Sequence, residues 1–244
     1  MGKIVAIGGG EIYWGETRAI DEYIVRLSGK PSPRLLFIPT ASGDTESYID
    51  VVRRVYGELG CTVDALCLIR ESYTDAEIRG KIFSADIIYV GGGDTETMMK
   101  KWAEFSVDTY LREAYQRGII LSGLSAGSDC WFIAGYSDSE FFANVPNPTY
   151  KWVRGLGLLP FLHTPHYNEP ERKGFDAYFA GQITDAIALD NSTAFVEIDG
   201  QYTVVHANDT GKAYFLTWNG KSVEKREFEH LEQPFCLFST RGEE

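Results

Sequence analysis

Cysteine and histidine are scarce in this chain, four of each in 244 residues. Cys61, Cys67, Cys130 and Cys236 form no C-x-x-C pair. That argues against a zinc ribbon or a thioredoxin-like site, and free thiols in a reducing compartment are expected. Runs of Lys and Arg are also missing, and the net charge is −12. Nucleic acid and anionic membranes are therefore not expected as partners. No apolar run is long enough to span a bilayer. Met1-Gly2-Lys3-Ile4-Val5-Ala6 lacks the long apolar region of a secretory signal and the Ser or Thr that N-myristoylation wants at position six. A cytoplasmic protein is expected.

Hydrophobic residues make up 44% of the chain, enough for a large core without staples. Short apolar runs at 3–7, 34–39, 62–69, 86–90 and 118–121 alternate with helical patterns at 17–27, 46–59, 75–83 and 95–117. This rhythm predicts an α/β fold of three layers, a mostly parallel sheet with helices on both faces. After Gly155 it changes. Residues 156–165 read as extended and 171–182 as helical. Strands follow at 186–189, 194–198, 202–206, 213–218 and 224–227. Asp199-Gly200 and Asn219-Gly220 are turn dipeptides, so C-terminal antiparallel hairpin strands are expected on the main sheet. No linker or repeat divides the chain, and residues 1–244 read as one domain.

Two glycine runs sit where strands end, as ligand sites in open α/β sheets do. Gly8-Gly9-Gly10 does not continue into a dinucleotide fingerprint, since position 13 is Tyr, and reads as a tight turn or a phosphate loop. Gly91-Gly92-Gly93-Asp94 opens a helix. Asp94 is either its cap or a contact to substrate. Gly123-Leu124-Ser125-Ala126-Gly127 matches G-x-S-x-G, a strand-to-helix turn that exposes a serine and makes the next N–H, that of Ala126, an oxyanion donor. A serine nucleophile needs a base. His206, in a hairpin strand, and His230, in a charged stretch, read as structural or solvated. His163 and His166 lie together at a strand end, without a third ligand at zinc spacing. Alternation along an extended chain sends them to opposite faces, one toward the site.

Together, "VGGGDT", "GLSAGS" and "TPHYNE" resemble the dipeptidase E (peptidase E) family of serine peptidases, which includes cyanophycinases. The resemblance runs from "AIGGGE" to about "ALDNSTAFVEIDG". It implies a sheet like that of class I glutamine amidotransferases, Ser125 as nucleophile, His166 as base, and Gly93 and Ala126 as oxyanion donors. Aligned on the final Thr-Ala, the family's histidine-orienting glutamate falls on Asn191. The acceptor is therefore expected at Asn191, then Asp190, then Asp138. The resemblance further implies peptides with an N-terminal aspartyl residue, or β-aspartyl peptides. An acidic substrate calls for a cation, and Arg172 and Lys173 are the candidates. No cofactor or metal is expected. Expected partners are a small peptide substrate and, optionally, a second copy in a homodimer. An esterase or amidase of another elbow fold and a non-catalytic binding protein stand as alternatives.

Overall fold

The structure is a computed structural model, and it describes residues 2–143 and 145–228. The expectations for His230 and Cys236 fall outside these residues.

Strand β1 (Lys3–Ile7), with the sequence KIVAI, is apolar at nearly every position because both of its faces are covered. The same holds for β2 (Arg34–Ile38), β4 (Ile87–Val90) and β5 (Ile120–Leu124). With β3 (Thr62–Ala65) these strands run parallel. The hairpin of β10 (Thr193–Ile198) and β11 (Gln201–His206) joins β1 antiparallel. The result is a seven-stranded sheet in the order β11-β10-β1-β5-β4-β2-β3.

Successive side chains of β1 point to opposite sides. Val5 and Ile7 share a core with Ile20 and Ile24 of α1 (Arg18–Leu27) and with Ile49, Val52 and Tyr56 of α2 (Glu46–Glu58). Ile4 and Ala6 belong to a second core with Ile78 and Ile82 of α3 (Asp75–Ser84), Met98 and Trp102 of α4 (Thr95–Glu104), and Leu111 of α5 (Val107–Gln116). Helices thus cover both faces of this sheet.

The remaining strands build a second sheet that the sequence reading did not separate. It comprises β6 (Phe132–Ser137), β7 (Lys151–Arg154), β8 (Leu159–Thr164), β9 (Ala186–Leu189), β12 (Ala213–Trp218) and β13 (Val223–Glu227). Their order is β13-β12-β9-β8-β6-β7. The hairpin β12–β13 therefore extends this sheet and not the main one. Leu216 of β12 is buried there with Phe175 and Phe179 of α8 (Phe175–Phe179).

Two local expectations need correction. The helix read over 95–117 is two helices, because Ser106 adopts a left-handed φ of 57° and ends α4 from α5. The helix read over 171–182 is a short 3-10 turn at Pro170–Arg172 followed by the five-residue α8, with Gly181 at φ 87° beyond it. The helix after Ser125, α6 (Ala126–Asp129), is a single turn that gives way to β6. A further short helix of this half, α7 (Ser139–Phe142), follows β6. Among the described residues no helix is long and apolar enough to cross a membrane.

Candidate active site

Strand β5 ends at Leu124, and Ser125 reverses the chain at φ 57° and ψ −115°. A side-chain-bearing residue held there stores about 1–3 kcal/mol of backbone strain. Glycine makes the turn sterically feasible. A Cβ on Gly123 would lie 2.2 Å from the Gly127 carbonyl oxygen, and one on Gly127 would lie 2.1 Å from that of Val90.

The end of β1 organises the rest. Three consecutive carbonyls each receive one backbone N–H from a different segment. Ser125 donates to Ile7 at 3.1 Å, His166 donates to Gly8 at 3.0 Å, and Ser192 donates to Gly9 at 2.9 Å. The first glycine run is therefore more than a free turn. It is a backbone template on which three loops dock. Gly9 has no room for a side chain, since a Cβ would lie 2.0 Å from Asn191 Oδ1 and 2.4 Å from His166 Nδ1.

On this template Ser125 Oγ lies 2.8 Å from His166 Nε2, and His166 Nδ1 lies 2.8 Å from Asn191 Oδ1. In the neutral imidazole, Nδ1–H donates to the Asn191 amide oxygen and Nε2 accepts from the serine hydroxyl. His166 sits just past β8, with a left-handed φ of 55° that swings its ring away from the strand direction. A fourth group, absent from the sequence reading, joins them. Glu169 Oε1 is 3.1 Å from His166 Nδ1 and 2.9 Å from Asn191 Nδ2. Its hydrogen bond with His166 is the largest cause holding the Glu169 carboxyl down at about 2.

The other expected residues lie elsewhere. Asp190 points away from the histidine, its carboxylate accepting from the Lys212 N–H at 3.1 Å, because neighbours on an extended chain face opposite ways. Asp138 pairs with Arg172 at 3.4 Å. Arg172 is only 4% exposed, donates to the Tyr136 carbonyl at 2.6 Å and lies over the Tyr150 ring. It is a buried structural cation and not a substrate contact. Lys173 is exposed and ends the 3-10 turn, outside the cleft lining. Asp94 caps α4, accepting from the Glu96 and Thr97 N–H groups. Gly92 borders Ser125, a Cβ on it falling 3.3 Å from the serine Cβ. Gly93 follows at φ 135°, packed on the Ala41 carbonyl, and Ala126 opens α6 beneath the serine.

His163 faces the core of the second sheet. It is fully buried and stacked on Phe132 at 4.1 Å. Its Nδ1 donates to the Ile187 carbonyl at 2.8 Å, and Nε2 lies 2.8 Å from Ser128 Oγ. Burial pushes its pKa down to about 3, so it stays neutral. His206 lies on β11, 3.4 Å from Thr193 Oγ1. Among the described residues no three of His, Cys, Asp and Glu are grouped to hold a metal ion.

Ser125, His166, Glu169 and Asn191 open onto a cleft of about 750 Å³ that is also lined by Glu11, Ile12, Tyr13, Glu16, Tyr48 and Asp50. Among the described lining residues there are four carboxylates and no Lys or Arg.

Residues 4–205 match peptidase family S51. A Bacillus subtilis protein described as the uncharacterized peptidase YgaJ is 32% identical over 219 residues, 88% of this chain and 91% of its own. A probable alpha-aspartyl dipeptidase of Drosophila melanogaster is 29% identical over 138 residues, 56% of this chain and 53% of its own. The crystal structure of a peptidase from an acI-B1 actinobacterium superposes with a TM-score of 0.73 at 20% identity, covering 97% of each chain. A putative peptidase E from Listeria monocytogenes superposes at 0.60 with 18% identity, covering 94% of this chain and all of the other.

Proposed function

The chain belongs to peptidase family S51, and from that premise we propose that it is a serine peptidase that cleaves small peptides through an acyl-enzyme on Ser125. The observation that carries this reading is the 2.8 Å contact between Ser125 Oγ and His166 Nε2 at the floor of the cleft. His166 takes the hydroxyl proton as Oγ attacks the peptide carbonyl. The N–H groups of Gly93 and Ala126 are assigned to the oxyanion, a contribution of about 3–4 kcal/mol per donor in comparable sites. His166 then protonates the leaving amine, and water releases the acyl group. A serine-directed phosphonate and a dipeptide panel test this directly. Labelling of Ser125 together with dipeptide cleavage supports the peptidase. Cleavage of simple esters alone would identify an esterase. Absence of labelling would leave a binding protein.

Arg172 and Lys173, the cations expected for the aspartyl preference that the resemblance implies, are not among the residues that line the cleft. The carboxylates of Glu11, Glu16, Asp50 and Glu169 would repel an acidic side chain. These groups are partly solvated, so the effect is modest and screened by salt. Asp-X and β-Asp-X dipeptides are expected to show a kcat/KM about tenfold below that of Ala-X, with the gap narrowing as salt rises. Preferential cleavage of Asp-X would refute this and call for a cation supplied from outside the described lining.

Gly9→Ala tests the template. Its Cβ must displace the Asn191 amide or the His166 ring, and misplacement by about 1 Å costs on the order of a hundredfold in kcat. Unchanged turnover in this variant would show that the two side chains do not act from their observed positions.

A further inference from the structure

We propose that Glu169 is a positioning residue of the catalytic set. On this proposal its carboxylate fixes the direction of the Asn191 amide and places beside His166 the negative charge that an asparagine lacks. The inference rests on the reading of Ser125 and His166 as nucleophile and base.

An asparagine side chain can present either its oxygen or its NH2 to a neighbour. Only the oxygen can accept the His166 Nδ1–H. The reversed amide would set donor against donor. Glu169 removes the ambiguity, because a carboxylate only accepts. Its Oε1, 2.9 Å from Asn191 Nδ2, holds the NH2 end and so turns Oδ1 toward the ring. The same oxygen is 3.1 Å from His166 Nδ1, within reach of that proton. The imidazole N–H donates to the neutral amide oxygen, with the charged carboxylate oxygen beside it at ion-pair distance.

When His166 takes the serine proton the ring becomes a cation. An amide dipole stabilises it less than a full charge at similar distance. Glu169 supplies that charge, and its low carboxyl pKa keeps it ionised throughout the range in which the enzyme would work.

The local chain is shaped to deliver the group. The Glu169 N–H donates to the His166 carbonyl at 2.9 Å, closing a turn that starts from the left-handed His166. Pro170 then begins the 3-10 turn. Between them, Asn168 Oδ1 accepts the Asn191 N–H at 3.0 Å. One turn therefore grips both the backbone and the side chain of Asn191. The carboxylate reaches His166 from the base's own loop and not from the β9–β10 turn that carries the amide.

The test compares Glu169→Gln, Glu169→Asp and the double variant Glu169→Gln/Asn191→Asp in the full chain. Glu169→Gln is expected to lower kcat by about tenfold to a hundredfold, with KM changing less than about threefold, because the charge acts on the reacting cation and not on bound substrate. The double variant, with a carboxylate restored next to Nδ1, is expected to recover most of the loss. Glu169→Asp checks that any loss does not arise from misfolding. It retains the charge on a shorter arm and should lie between wild type and Glu169→Gln.

A second readout does not need a substrate. The low-field proton resonance of His166 Nδ1–H, assigned by its disappearance in His166→Ala, should move upfield in Glu169→Gln and return in the double variant. If no peptide is cleaved by the wild type, the peptidase reading fails while this resonance still reports on Glu169. Unchanged kcat and an unmoved resonance in Glu169→Gln would overturn the proposal. So would a loss of kcat that neither the double variant nor Glu169→Asp recovers, since that pattern marks a residue needed only to shape the loop.

Discussion

Ser125→Ala is expected to lower kcat for any cleaved peptide by at least about a thousandfold, the scale on which loss of an activated nucleophile is felt. The change removes one oxygen. That oxygen makes no helix-capping hydrogen bond, and its partner is His166 Nε2. The backbone at φ 57° is equally strained with alanine, so the melting temperature should hardly move. Ser125→Gly should go further. It removes the nucleophile and releases strain, and a gain of about 1 kcal/mol in stability is expected. Peptide hydrolysis and thermal melts on the same preparations check both parts. More than about a tenth of wild-type turnover in a homogeneous Ser125→Ala sample would remove Ser125 from the chemistry.

The two neighbouring histidines should separate cleanly. His166→Ala is expected to be nearly as damaging to kcat as Ser125→Ala, with little effect on folding, because the ring sits at the cleft surface. His163→Ala should do the reverse. It empties a fully buried site, strips Phe132 of its stacking partner and removes the ring's hydrogen bond to the Ile187 carbonyl. A loss of about 2–4 kcal/mol in stability is expected, with kcat of the folded fraction within about tenfold of wild type. There is also a pH signature. In the folded state His163 takes up its proton only near pH 3, whereas in the unfolded chain it does so near its ordinary value of 6.5. The unfolded state therefore binds more protons between these limits. The stability contribution is complete above pH 6.5 and is lost progressively as the pH falls toward 3. His163→Leu should flatten that part of the stability profile. Urea titrations across this range measure it. Equal, severe losses of kcat in folded His163→Ala and His166→Ala would contradict the division of roles.

Legibility in the sequence followed the range of the interactions involved. The elbow was readable because Gly123, Ser125 and Gly127 act on one another within five residues. The parallel strands were readable because a strand covered on both faces must be apolar throughout. The two sheets were not distinguished, since nothing local tells β12 to pair with β9 and not with β11. The run that forms β6 follows a helix-compatible turn, and its Gly135 is explained only by Asp129, whose Oδ1 would lie 2.1 Å from a Cβ there. The burial of Arg172 is not legible for the same reason. Its charge is visible in the sequence, but the ring of Tyr150 and the Tyr136 carbonyl that enclose it come from elsewhere in the chain. Glu169 has a local signal in the sequence. It stands three residues after His166 in "TPHYNE", a spacing that a tight turn brings back onto the ring. The acceptors expected from the sequence lie in the acidic segment between nucleophile and base and at the strand end near Asn191, and neither stretch contains Glu169.

The three carbonyls at the end of β1 carry a consequence for how such a site can change over generations. Ile7, Gly8 and Gly9 hold Ser125, His166 and Ser192 by main-chain groups, which every residue type except proline offers in the same place. Substitutions elsewhere in the docking loops leave those anchor points intact. An insertion or deletion of one residue between Ile7 and Gly9 does not, because it displaces two or three anchors in a single event, and no later change in one loop can compensate for the others. The lineage is free to rewrite the spelling of its loops, while the count of residues at this strand end is fixed.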